Sequence, residues 1–214
     1  RTAGSVLRAA GEGAEEEMLL YRTLRDMNLS KLVAQDVPLF LSMLTDLFPR
    51  IRSPPDSEHP QVEAAIARAT DGAHLVRAVR WTRKVVQLYE TQLVRHGIML
   101  IGPTGGGKTE VFNTLKTALS DSLEVQHRIV RLNPKSISEQ QMYGMTDPAS
   151  GEWEKGVFSS IWERYNDKTL PYITWIICDG PVDTLWIESL NTVLDDNRLL
   201  TLASGDRFPM TDNT

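Results

Sequence analysis

Cysteine is almost missing from this chain: Cys178 is the single one in 214 residues, which excludes an internal disulfide and points to a reducing compartment. No apolar run approaches the ~20 residues that cross a bilayer, and the first residues lack the pattern of a signal peptide. Positive charge is also short. Lys and Arg number 23 against 28 Asp and Glu, a net charge of -5 with a pI near 5.4, so neither a nucleic-acid groove nor a membrane is expected as a partner. His59, His74, His96 and His127 are scattered, without cysteines at zinc spacing, and none is assigned as a metal ligand. The remaining composition, 41% hydrophobic and 24% charged, is that of a globular protein with length for one large domain or one and a half. The opening Arg-Thr-Ala-Gly without Met, and the stop after a hairpin-like stretch, fit a piece of a longer chain.

Against this background one stretch carries chemistry. Residues 102–109 read Gly-Pro-Thr-Gly-Gly-Gly-Lys-Thr and fit G-x-x-x-x-G-K-[ST], the phosphate-binding loop. Gly102, Gly107, Lys108 and Thr109 take the fixed places, with Pro103, Thr104, Gly105 and Gly106 between them. Glycines let the backbone fold into a concave nest of N–H groups aimed at a polyphosphate, and the following helix adds the positive end of its dipole. Lys108 reaches the β- and γ-phosphates, and the Thr109 hydroxyl suits Mg²⁺. The flanks agree. Residues 96–101, His-Gly-Ile-Met-Leu-Ile, read as a buried parallel strand, and Val111, Phe112, Leu115, Ala118 and Leu119 recur at helical spacing behind the loop.

The earlier residues read as helices: one over Val6 to Ala10 ending at Gly11, and a second with Met18, Leu19, Leu20, Leu24 and Met27 inward. The acidic Glu15, Glu16 and Glu17 fall in the second helix's first turn, where the dipole favours them. Asp36 is placed to cap a third helix with Pro38 in its first turn and Phe40, Leu41, Leu44, Leu47 and Phe48 inward. Residues 49–60 hold four prolines and read as an exposed connection. A helix of about 23 residues is then expected over 73–95, with Leu75, Val79, Thr82, Val86, Tyr89 and Leu93 recurring at four-three spacing. A core helix fits this better than a coiled-coil face.

Past the loop, residues 126–132 alternate as a strand ending in Asn133-Pro134-Lys135. Residues 143–153 read as a hairpin inserted before a helix over 156–165. Its Trp153 suits either an exposed contact with a moving neighbour or packing on that helix. Residues 172–178 form a second buried strand, with Cys178 in the core, and run into Asp179. In phosphate-loop NTPases such an Asp holds Mg²⁺.

These residues resemble the AAA+ ATPases and, within them, the dynein heavy chains, at the second module of the motor ring. The resemblance rests on the loop and on Leu-Asn-Pro-Lys-Ser-Ile (132–137), Gly-Glu-Trp (151–153), Gly-Val-Phe-Ser-Ser (156–160), Asp-Gly-Pro-Val-Asp (179–183), Trp-Ile-Glu-Ser-Leu-Asn-Thr-Val-Leu-Asp-Asp-Asn (186–197) and Leu-Thr-Leu-Ala-Ser-Gly-Asp-Arg (200–207). It implies an α/β large domain over 73–214 with parallel sheet order 5-1-4-3-2. A helical lid segment of the preceding module would occupy 1–48, with a connection and first helix over 49–72. It also implies ATP or ADP with Mg²⁺ as cofactors, and an ATP-driven microtubule motor. Neighbouring modules, the linker arm, and intermediate and light chains would be its partners, and microtubules would bind through parts not in this chain. Asp-Gly-Pro-Val-Asp looks axonemal and outer-arm-like, which implies a cilium, with a cytoplasmic motor as the alternative. The arginine finger, the sensor strand and the module's own lid would follow Thr214.

One departure bears on activity. Active AAA+ modules usually carry Glu after the metal-binding Asp, to align the attacking water, and here Gly180 stands there. A binding-only module is therefore expected, with no catalytic residue assigned. An active remodelling ATPase and a small kinase are the competing readings. Asp183 and Glu188 are the nearby carboxylates that could substitute.

Overall fold

The helix that the apolar spacing reads over 73–95 begins only at Val79. In the computed structural model, which describes residues 16–29, 31–51, 59–195 and 197–214, Pro60–Gly72 (α3) and Val79–Val94 (α4) are separate helices. Arg77 Nε donates to Asp71 Oδ1 at 2.7 Å and its Nη2 bonds the other carboxylate oxygen. His74 takes the left-handed φ of 56°. This staple turns the chain over 73–78, the first residues of the expected helix. The inward face shifts accordingly: Val85 is fully buried, while Val79 and Leu93 are exposed. Pro60 sits at the start of α3, where its missing N–H costs nothing.

The chain divides into two compact units, Arg1–Ala118 and Leu119–Thr214. In the first, Glu16–Leu29 (α1) opens on Glu16 and Glu17, as the dipole argument expects. It buries Tyr21 and leaves Leu20 exposed. Val37–Leu47 (α2) follows Asp36 with Pro38 in its first turn, though Asp36 makes no side-chain cap bond. Leu44 is its buried residue. Leu47, expected inward, is exposed because it continues the Leu39–Met43 row at four-residue spacing on the outer side. The helix expected at Val6 to Ala10, and most of the proline-rich connection, lie outside the described residues.

Residues 96–101 do not form the expected strand. They run as irregular chain, with Met99 exposed and Ile101 81% exposed. A buried parallel strand needs neighbours to pair with, and among the described residues none pairs here. The loop leads into Lys108–Ser122 (α5), whose Val111, Leu115, Ala118 and Leu119 are buried as the spacing predicts.

In the second unit, Gln126–Leu132 (β1) and Tyr172–Cys178 (β4) pair in parallel, in register from Gln126 opposite Tyr172 to Leu132 opposite Cys178. They match the adjacent 3-2 strands of the order the resemblance implies, and the α/β class holds. Between them come Glu139–Tyr143 (α6), capped by a Ser138–Gln141 capping box, and the antiparallel hairpin Gly144–Thr146 (β2) with Trp153–Lys155 (β3). Val157–Tyr165 (α7) follows. After β4 come Thr184–Ile187 (α8), Asn191–Leu194 (α9) and the hairpin Leu199–Thr201 (β5) with Arg207–Pro209 (β6).

Leu132, Met142, Tyr143, Phe158, Trp162, Leu190, Val193, Leu200 and Leu202 form the core of this unit, with Trp153 and Cys178 packed against it. Of the two readings of Trp153, the packed one is observed. Its ring lies over Gly144, whose φ of 120° no other residue adopts comfortably. The carbonyl of Tyr143 accepts from Ser159 Oγ, and the Tyr143 hydroxyl donates to Trp186 O, so both ends of this residue tie α6 to later elements.

Gly156 closes the hairpin onto α7 at a point where a methyl group would overlap the backbone of Met142 and Gly144. Gly156→Ala should therefore lower stability by about 1–3 kcal/mol, the range for overpacked interiors. Urea unfolding of the two proteins measures this, and an unchanged midpoint would show that the backbone there yields freely.

Candidate nucleotide site

The 102–109 loop is built by its own backbone. Gly106 N donates to Pro103 O at 3.1 Å, and Gly105 and Gly107 take φ of 77° and 78°, the left-handed region where glycine carries no steric cost. Lys108 opens α5, and Val111 N is bonded to Gly107 O. The amides of Lys108 and Thr109 donate to no described group, so the first turn of the helix keeps its free donors. Lys108 Nζ donates to Gly102 O at 2.8 Å and to Pro103 O at 2.9 Å, which keeps the cation over the loop. Gly102, Pro103, Thr104, Gly105, Gly106 and Thr109 are exposed. Free amides at a helix start, left-handed glycines and a held ammonium are a donor set suited to a polyphosphate.

Asp179 lies at the carboxyl end of the parallel pair, the edge where α/β folds place ligands. Its N–H donates to Leu132 O at 2.8 Å, carrying the ladder one residue past β4. Its carboxylate faces Arg131 at 3.6 Å, with both side chains about half exposed. Among the described residues no cluster of three or more His, Cys, Asp or Glu is placed to hold a metal. Asp179 alone is one carboxylate, and Mg²⁺ sites commonly take one or two carboxylates with phosphate and water oxygens for the rest. Thr109 belongs to the first unit and Asp179 to the second.

The next residue, Gly180, is exposed. A Cβ at Gly180 would lie 2.9 Å from Asn133 Oδ1, and that oxygen accepts from Lys135 N at 3.0 Å. Asp183 is spent locally, its carboxylate capping α8 through Leu185 N at 3.2 Å. Glu188 is exposed in the 3-10 turn after α8. Arg131 and Asn133 are the neighbours that the motif reading missed. The parallel register would have shown them, since whatever follows Leu132 must meet whatever follows Cys178.

A family model described as the hydrolytic ATP binding site of dynein motor region matches residues 1–109, and one described as an AAA domain of the dynein-related subfamily matches residues 97–214. Dynein axonemal heavy chain 5 of Rattus norvegicus is 47% identical over 213 residues, covering 100% of this chain and 6% of that protein. The dynein gamma chain, flagellar outer arm, of Chlamydomonas reinhardtii is 48% identical over 210 residues, 98% of this chain and 5% of its own length. Dynein axonemal heavy chain 9 of Homo sapiens is 38% identical over 208 residues, with 97% and 5% coverage. Phosphate loop, parallel strands and flanking helices thus define an AAA-type α/β domain. More narrowly, the chain belongs to the dynein heavy chain family, and spans only a small fraction of the length of these relatives.

Cys178, beside Asp179, is half-buried, and burial pushes its thiol up to about 11. The thiolate is the reactive form, so at pH 8 only about one thiol in a thousand is reactive. Alkylation of the folded chain by iodoacetamide should be very slow at pH 8 and rise roughly tenfold per pH unit up to about pH 11. Rapid labelling at pH 8 would show a thiol outside the core.

Proposed function

We propose that this chain is the second AAA+ module of a dynein motor ring, and that it binds ATP or ADP with Mg²⁺ while hydrolysing ATP slowly or not at all. Residues 1–48 would be the end of the preceding module's helical lid, 49–72 a connection and first helix, and 73–214 the large domain. The order of motifs along the chain supports this division. The names of the axonemal and flagellar relatives support a place in the axoneme of a cilium. There the whole heavy chain would work as an ATP-driven microtubule motor with intermediate and light chains, and this module would act on its neighbours and the linker as a structural or regulatory site.

In this reading Gly102, Pro103, Thr104, Gly105, Gly106 and Gly107 cradle the phosphates with backbone amides. Lys108 neutralises their charge, and Thr109 and Asp179 hold the Mg²⁺. The ion, when bound, spreads the negative charge that builds up on the transferring phosphoryl group. Positioning and neutralisation are thus provided, and an oriented water is the missing part.

The observation that supports the slow-hydrolysis reading is that a glycine, Gly180, follows Asp179. The position that usually supplies the water-orienting Glu has no side chain to orient or deprotonate a water. Asp183 is engaged as a helix cap. A general base contributes ~10²–10⁴-fold, so its absence sets the rate. The family model described as hydrolytic ends at Thr109, before Asp179 and Gly180, so its match is silent on this position.

Single-turnover hydrolysis in the intact chain, taken as the difference between wild type and Lys108→Ala, tests the reading. Lys108→Ala should weaken ADP binding at this site by at least about tenfold, because a charge-assisted contact is lost. The difference rate should lie about a hundredfold or more below ordinary turnover of ~1–10³ s⁻¹. Asp183→Asn and Glu188→Gln should leave it unchanged. A difference rate within the ordinary range would sink the slow-hydrolysis reading, and unchanged ADP binding in Lys108→Ala would sink the site itself.

A further inference from the structure

Trp81 stands in the first turn of α4 and reaches the phosphate loop within the same compact unit. A methyl group at Gly107 would lie 3.0 Å from Trp81 Nε1 and 3.5 Å from its Cδ1. The indole therefore meets the loop with its N–H edge, not with its face. Among the described residues the Trp81 N–H has no hydrogen-bond acceptor, and the ring is half-exposed. An indole N–H can only donate, and here it is set beside the glycine that leads into Lys108. The turn that carries it also holds Arg80 and no acidic residue. Cations at a helix N-terminus oppose the dipole, and a bound anion nearby offsets that.

We propose that Trp81 is a nucleotide contact, its indole N–H donating to the polyphosphate seated on the 102–109 loop. The inference rests on the loop being the nucleotide site. It explains a second requirement at Gly107: beyond its left-handed φ, the position needs the absence of a Cβ for Trp81 to come close. It also extends the donor set from backbone and Lys108 to a neutral side chain on a different helix. Stacking on the base is disfavoured, because the face of the ring is not what the loop meets.

The test uses the intact chain, with ADP and inorganic tripolyphosphate titrated against wild type, Trp81→Phe and Lys108→Ala. Trp81→Phe keeps an aromatic ring and removes the N–H. It should weaken ADP and tripolyphosphate by the same factor, about tenfold, as expected for a hydrogen bond to a charged acceptor. Weakening of ADP alone would place the indole on base or ribose and overturn the phosphate contact. No weakening of either would make Trp81 a packing residue and overturn the proposal outright. In the wild-type chain, one indole N–H resonance should move downfield as tripolyphosphate is added. If none moves, the proposal falls even where Trp81→Phe folds poorly. If Lys108→Ala binds tripolyphosphate as tightly as wild type, the site reading fails instead, and that result is separate from the Trp81 comparison.

Discussion

One backbone hydrogen bond fixes the acidic edge of the second unit: Asp179 N to Leu132 O, 2.8 Å. It is the continuation of seven paired positions from Gln126–Tyr172 to Leu132–Cys178. Alternate residues of a strand face opposite sides, so a slip of one position would exchange every side chain between faces. A slip of β1 would turn buried His127 and Leu132 to the opposite faces. The buried residues therefore hold the register, and the register places Asp179, Gly180, Arg131 and Asn133 at one end. A carboxylate beside a guanidinium at half exposure gains little stability from the pair itself. The position is set by the ladder.

The first unit reaches its donor set by other means. Three consecutive glycines carry a large entropy cost on ordering, and two of them take left-handed φ. That backbone leaves the first amides of α5 without acceptors. Lys108 offsets part of the cost by closing back on the carbonyls of Gly102 and Pro103. A loop with unpaired donors and few apolar contacts is a local minimum suited to an anionic ligand.

Much of this was legible in the sequence because the signals are local. The loop, both paired strands, the 143–153 hairpin and α7 follow from glycine placement, period-two alternation and helical spacing. Two failures share a cause. Spacing over 73–95 could not reveal that Asp71 and Arg77 would close a turn, since their attraction operates across six residues and outside the apolar pattern. The apolar run at 96–101 has the composition of a buried strand, yet a strand exists only by pairing, and composition does not supply a partner. Trp81 at the loop, and Asn133 against Gly180, were hidden for the same reason: they are contacts between elements, which no spacing rule encodes.

On the proposed slow-hydrolysis reading, Gly180 would also alter what nucleotide can do in such a module. A ligand shifts an equilibrium only by its different affinity for the two states. Where hydrolysis is fast, the site passes through several ligand states, and its effect is tied to turnover. Where the water-orienting group is missing, occupancy alone is the variable. A ligand at a hundred times its Kd stabilises the binding-competent form by about 2.7 kcal/mol, comparable to several of the packing contacts described above. The glycine-rich loop, costly to order and rich in unpaired amides, is the part of the first unit that gains most from such a ligand. On the proposed function, nucleotide seated on this loop would act as a structural component of the first unit, through occupancy and not through turnover.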